Sequence, residues 1–150
     1  KKGFEPLVEA RAVSIIHPDL ATSGGILETK RIADYCKEAG IAVALHQAGS
    51  PVVAMANAHC AAAIDNFLAL EMHSVDLPWW DELVTGMDNK IVQQGYIKVP
   101  DAPGLGIELN DEAVEEHLNR DSSEFSIYPE GMFESTNEWN ELDSHDRIWS

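Results

Sequence analysis

Basic residues are scarce in this 150-residue sequence, which has 10 lysines and arginines against 26 acidic residues and a formal net charge of −16. Fourteen of the acidic residues fall in residues 101–150, where the only lysines or arginines are Arg120 and Arg147. Binding to nucleic acid needs a basic surface, so no nucleic-acid partner is expected. We interpret the acidity as favouring solubility over forming an acidic binding tail.

Cysteine and long apolar runs are also rare. Cys36 and Cys60 lack the close spacing of a metal site, and both fall at inward positions of predicted helices, which indicates buried thiols in a cytoplasmic protein. No apolar run approaches the roughly 20 residues that span a membrane, so no membrane segment is expected. The chain has no initiator methionine and is too short for a complete (β/α)₈ barrel of about 250 residues. We therefore expect it to be a C-terminal part of a longer protein.

Short apolar runs alternate with helical patterns over the first half of the sequence. Thr22 and Ser23 are candidate caps for one helix, Gly40 suits its end, and Pro51 suits the start of the next. Such alternation predicts an α/β fold with a parallel sheet or barrel. The predicted strands are residues 13–16, 41–45 and 67–70, and the predicted helices are 4–11, 24–39 and 51–64.

The pattern changes after Leu77. Residues 78–83 predict a short helix or loop rich in aromatics, and residues 91–99 predict an extended segment. A turn-rich stretch follows at 100–106, and Asn110 is placed to cap a short helix through Leu118. No internal repeat beyond the strand–helix unit is visible.

Three polar residues stand at or just past the carboxyl ends of the predicted strands. They are Asp19, His46 and Glu71, separated by 27 and 25 residues, close to the roughly 30 residues of one barrel unit. The C-terminal ends of parallel strands meet at one edge, so the three side chains are expected to face one pocket. An isolated strand-end histidine is more often structural, but a carboxylate on the neighbouring strand can orient its ring as a base.

The other candidates have plainer interpretations. Glu71 by itself could be a carboxylate at the rim of a pocket. His17, His59 and His117 are each interpreted as structural. Trp79 follows the third predicted strand closely and is a candidate substrate-binding residue, as an apolar wall of the pocket; simple packing is the alternative.

The motifs around these residues resemble a known family. They are HPDLATSGGI at 17–26, ALHQAGSP at 44–51 and FLALE at 67–71. They resemble strands six, seven and eight of the barrel in the enolase superfamily, in the mandelate racemase/muconate lactonizing enzyme group. The segment at 99–109 is similar to the return of the chain to that family's capping domain. The end of the sequence resembles sugar-acid dehydratases of the galactonate and gluconate type.

The resemblance implies a fold and a domain division. The fold class is α/β, the C-terminal portion of a TIM-type (β/α) barrel with a capping-domain return segment. Residues 1–90 would belong to the barrel. Residues 91–150 would supply the capping-domain return strand, a short helix and the acidic tail.

The resemblance also implies a lyase that uses Mg²⁺ to dehydrate an aldonate to a 2-keto-3-deoxy acid through an enediolate. His46 would be the base, Asp19 the partner that orients it, and Glu71 the carboxyl that hydrogen-bonds the enediolate when protonated. No metal ligand is expected in this chain, because the family's ligands would precede Lys1. This part alone is expected to be inactive, and the whole protein to be a cytoplasmic homo-oligomer. Two alternatives stay open, a racemase or epimerase of the same superfamily and a non-catalytic α/β ligand-binding module.

Overall fold

Three short parallel strands form the sheet that positions the candidate site. In the computed structural model, which describes residues 1–87 and 90–117, these are β1 (Ile15–Ile16), β2 (Ala42–Leu45) and β3 (Phe67–Leu70), in the order β1-β2-β3. Ile16 pairs with Val43 and Leu45 with Leu70. The register shifts between Val43 and Ala44. The predicted α/β class and parallel pairing are confirmed. The expectations for residues 118–150 lie outside the described residues.

Helices connect the strands in the predicted order. They are α1 (Glu5–Glu9), α2 (Gly25–Glu38) and α3 (Pro51–Ala62). Gly40 adopts the left-handed conformation (φ 74°) just beyond α2, as predicted for a glycine that ends a helix.

The predicted caps of α2 are wrong. Gly24, in a left-handed conformation with φ 106°, holds the N-cap position, and no side chain caps the helix. Thr22 lies in the turn before the helix, and its backbone N–H donates to the carboxylate of Asp19 at 3.1 Å. The turn into α2 is therefore organised by Asp19, and a hydroxyl cap is not required.

The main core lies between the sheet and the two longer helices. Its largest fully buried side chains include Ile32 of α2 and Leu45 of β2. Cys36 and Cys60 are free and buried, as predicted, and burial raises the pKa of both thiols. A second cluster, built on Met55, Trp80 and Ile91, joins α3 to the segment that follows the sheet.

The segment after β3 consists of short elements. Two 3₁₀ helices come first, Ser74–Asp76 and Trp80–Leu83. The next strand, β4 (Val84–Thr85), pairs antiparallel with β7 (Glu108–Leu109). Helix α4 (Asp111–His117) follows β7. The predicted cap is confirmed, because Asn110 Oδ1 accepts the Ala113 N–H at 3.4 Å. No helix of the described residues is long and apolar enough to cross a membrane.

The predicted extended segment at 91–99 is a hairpin. Strands β5 (Val92–Gln93) and β6 (Tyr96–Ile97) pair antiparallel across a two-residue turn. Gln94 (φ 53°) and Gly95 (φ 83°) both lie in the left-handed region that a type I′ turn requires. Residues from Lys1 to His117 group as one unit, and the predicted division at residue 90 stays a prediction.

Candidate active site

Each parallel strand delivers an ionisable residue at the first position beyond its end. These residues are His17 after β1, His46 after β2 and Glu71 after β3. The backbone fixes their relative heights, since the His46 N–H donates to Pro18 O at 3.0 Å and the Glu71 N–H to Leu45 O at 2.9 Å. The carboxyl ends of the strands therefore meet, and the structure brings the three predicted residues Asp19, His46 and Glu71 together.

Asp19 is held by the backbone and holds His46 in turn. Its Oδ1 accepts the N–H groups of Ala21 and Thr22 at 2.7 and 3.1 Å, and its Oδ2 lies 2.5 Å from His46 Nδ1. A carboxylate that accepts on both oxygens places the imidazole proton on Nδ1. The other ring nitrogen, Nε2, is therefore the one through which His46 can act as a base on a substrate.

Glu71 faces that free nitrogen and is surrounded by imidazoles. Its Oε2 lies 3.5 Å from His46 Nε2 and 3.0 Å from His17 Nε2, while its Oε1 lies 2.7 Å from His73 Nε2. The Gln47 N–H adds a long contact of 3.4 Å to Oε2. Both carboxylate oxygens therefore have donors.

These contacts set the ionisation of Glu71. Desolvation by itself raises the pKa of this carboxyl. The hydrogen bonds from His17 and His73, with smaller contributions from the Gln47 N–H and His46, outweigh it and lower the pKa from 4.5 to about 2. Glu71 is therefore ionised in this arrangement. The expected protonated form would need a proton delivered during the reaction or a change in the charges around it.

The structure places His17, interpreted from the sequence as structural, against Glu71, and it adds His73, which sequence reasoning did not single out. Both lie two residues from a member of the predicted set, His17 before Asp19 and His73 after Glu71. Because side chains of an extended segment alternate, a spacing of two places residues on one face. That spacing was the signal that could have identified them.

Buried polar groups support the loop that carries His46. Gln47 is fully buried, and its Nε2 donates to Gly49 O at 3.0 Å. Ser74 Oγ and Trp80 Nε1 donate to the same carbonyl, each at 3.1 Å. One carbonyl thus ties the loop after β2 to the two 3₁₀ helices after β3.

Trp79 has a different neighbour from the one expected. Its ring stacks on that of His117, with centroids 4.3 Å apart and planes inclined by 14°. One face of the indole is therefore covered by helix α4, and a role for Trp79 in substrate binding stays a prediction.

Magnesium has no ligand set in the part of the chain that the structure describes. No group of three or more His, Cys, Asp and Glu side chains there could hold a metal ion. The carboxylates of the site make hydrogen bonds with protein groups. Asp19 bonds backbone N–H groups and His46, and Glu71 bonds imidazoles.

Comparison with known proteins places the chain in a family. Residues 1–113 match the family described as enolase C-terminal domain-like. The chain belongs to this family, and its parallel strands and helices correspond to the C-terminal part of the family's α/β fold.

Individual relatives agree with that assignment. D-xylonate dehydratase of Haloferax volcanii is 47% identical over 118 residues, which are 79% of this chain and 28% of that protein. D-gluconate/D-galactonate dehydratase of Picrophilus torridus is 30% identical over 127 residues, 84% of this chain and 32% of that protein. The chain thus spans about a third or less of these relatives.

Solved structures that resemble this chain agree with the family assignment. A mandelate racemase/muconate lactonizing enzyme-like protein from Rubrobacter xylanophilus superimposes with a TM-score of 0.76 at 40% identity. The match covers 79% of this chain and 30% of that one.

Proposed function

We propose that the protein containing this chain dehydrates an acid sugar to a 2-keto-3-deoxy acid. The observation that carries the proposal is the orientation of His46, whose Nδ1 lies 2.5 Å from Asp19 Oδ2 while its Nε2 is directed to the side of Glu71, 3.5 Å from Oε2. The sugar-acid dehydratases among its relatives support the choice of substrate class.

The proposed reaction starts at the carbon next to the substrate carboxylate. His46 Nε2 removes the proton from that carbon, and the Asp19 carboxylate stabilises the imidazolium that forms. The electron pair left behind forms an enediolate, and loss of the hydroxyl from the adjacent carbon gives an enol. The enol then becomes the 2-keto-3-deoxy acid.

A bound Mg²⁺, as the family resemblance implies, would stabilise the charge of the enediolate when present. The requirement for Mg²⁺ can be tested on the whole protein. Activity of the whole protein should be lost in EDTA and restored by added Mg²⁺.

The test of the proposal uses the whole protein and a panel of D-xylonate, D-galactonate, D-gluconate and L-arabinonate. Wild type is expected to form a 2-keto-3-deoxy acid from at least one and to exchange its C2 proton in D₂O. His46→Asn should lose both, by about 10²-fold or more. His59→Asn is the matched control, because His59 lies on α3 and contacts Leu105 O at 3.2 Å. Wild-type exchange in His46→Asn would remove His46 as the base.

A further inference from the structure

We propose that His17 is the general acid of the proposed dehydration, the residue that protonates the departing hydroxyl. The inference rests on the proposed function and adds a residue to it. Loss of hydroxide from carbon is slow unless the oxygen is protonated as it leaves, so a dehydratase needs an acid as well as a base. The described residues of the site offer two imidazoles besides His46, namely His17 and His73.

The position of His17 relative to the base favours it. His17 Nε2 and His46 Nε2 both approach Oε2 of Glu71, at 3.0 and 3.5 Å. Their rings meet edge to face with centroids 5.5 Å apart. Two imidazoles this close can serve the hydrogen and the hydroxyl of adjacent carbons in one substrate. His73 binds the other oxygen, Oε1, and its ring lies farther from His46, at 6.2 Å.

The backbone fixes the position of His17 relative to the base. His17 directly follows β1 and precedes the fully buried Pro18, whose carbonyl accepts the His46 N–H at 3.0 Å. The two imidazoles are thus mounted on neighbouring strands in a fixed register, which suits groups that must act together. His73 lies in the connection between β3 and a 3₁₀ helix, and its side chain is 61% exposed.

The surroundings of His17 suit a proton donor. Its Nε2 lies 3.0 Å from Oε2 of Glu71, a contact that orients the ring. Its Nδ1 has no hydrogen-bond partner among the described residues, and the side chain is 48% exposed, so this nitrogen can reach a ligand.

The contact between His17 and Glu71 joins two strands that are not neighbours. The two residues follow β1 and β3, which are separated by β2. Their side chains meet at 3.0 Å beyond the end of β2, where His46 also lies.

The proton balance of the step is complete. His46 Nε2 gains the proton from the carbon next to the carboxylate, and the freed electron pair becomes the carbon–carbon double bond. The carbon–oxygen bond breaks with its pair on oxygen, which takes the proton of His17 Nδ1 and leaves as water. After product release, His46 gives one proton to solvent and His17 takes one back.

The experiment compares His17→Gln with wild type in the whole protein, using the aldonate that wild type dehydrates fastest. Gln keeps an N–H for Glu71 but cannot deliver a proton. We expect dehydration to fall by about 10²-fold or more, while C2 proton exchange in D₂O falls less than tenfold. A 3-deoxy-3-fluoro analogue should recover most of the loss, because fluoride leaves without full protonation. His59→Gln, outside the site, is the matched control.

The experiment distinguishes failure of the proposed function from failure of the inference about His17. If wild type dehydrates no aldonate of the panel, the proposed function is wrong and this inference falls with it. If wild type is active and His17→Gln keeps its dehydration rate, the inference alone is wrong. It is also wrong if exchange and dehydration fall together without recovery by the fluoro analogue, or if His73→Gln shows the selective loss instead.

Discussion

Asp19 Oδ2 lies 2.5 Å from His46 Nδ1, and this contact decides which imidazole nitrogen is free to act. The sequence places the two residues 27 positions apart, while the fold makes them partners in a parallel bridge between neighbouring strands. The base of the proposed reaction is therefore prepared before a substrate binds.

Asp19→Asn tests that preparation. Asn can still accept the backbone N–H groups of Ala21 and Thr22, but it presents an N–H₂ group to His46 and favours the tautomer with the proton on Nε2. We expect kcat of the whole protein to fall about 10²–10⁴-fold with KM changed only a few-fold. Steady-state kinetics measure this, with circular dichroism to check folding. A large rise in KM with kcat unchanged would assign Asp19 to substrate binding instead.

The ionisation of Glu71 predicts an acid-dependent loss of stability. Its pKa of about 2 lies below the ordinary 4.5, so its ionised form stabilises the folded protein above pH 4.5. That contribution should disappear as the pH falls from about 4.5 to 2. Thermal unfolding of wild type and Glu71→Gln should therefore show a Tm difference that shrinks over this range. A constant difference from pH 5 to 2 would contradict the assigned ionisation.

Much of the fold and the central residues of the site could be predicted from local patterns. The three strands followed from short apolar runs, and Asp19, His46 and Glu71 followed from their positions at the strand ends. Parallel strands bring their carboxyl ends together wherever the strands are adjacent, so spacing alone was sufficient.

The surroundings of Glu71 could not be predicted in the same way. His17 reaches it from the end of β1, a strand that is not paired with β3, so strand adjacency alone does not predict the contact. The charge state of Glu71 depends in turn on these contacts. The hairpin at Gln94 and Gly95 was missed because its strands are only two residues long and carry no alternating pattern.

Substitutions of Gln47 test how much this buried polar side chain contributes to the stability of the protein. Its side chain is fully buried and donates to Gly49 O, while its Oε1 has no partner among the described residues. Gln47→Ala leaves a cavity and removes the donor, so we expect a loss of about 2–3 kcal/mol in unfolding free energy.

Gln47→Met is the matched variant for this position. It keeps most of the volume and removes the unpartnered oxygen, so it should lose less than half as much stability. Urea unfolding of both variants measures the difference. Equal losses would mean that the hydrogen bond to Gly49, and not the filled volume, carries the effect.

Gly106 and Gly104 provide a matched pair for the turn that leads into β7. Both have positive φ, 71° and 67°. A Cβ at Gly106 would overlap Cγ of Pro100 and lie 2.7 Å from its Cβ, while a Cβ at Gly104 meets nothing within 4 Å. Alanine at 104 therefore adds only backbone strain, about 1 kcal/mol, whereas alanine at 106 adds strain and a clash, about 3 kcal/mol.

Chemical denaturation of Gly104→Ala and Gly106→Ala should show this order. The neighbouring Leu105 packs against both apolar clusters, and its carbonyl contacts His59 of α3. A shift at Gly106 would therefore disturb the packing of this turn against α3 in addition to straining the turn itself. Equal destabilisation by the two variants would show that strain alone, and not the approach of Pro100, requires glycine here.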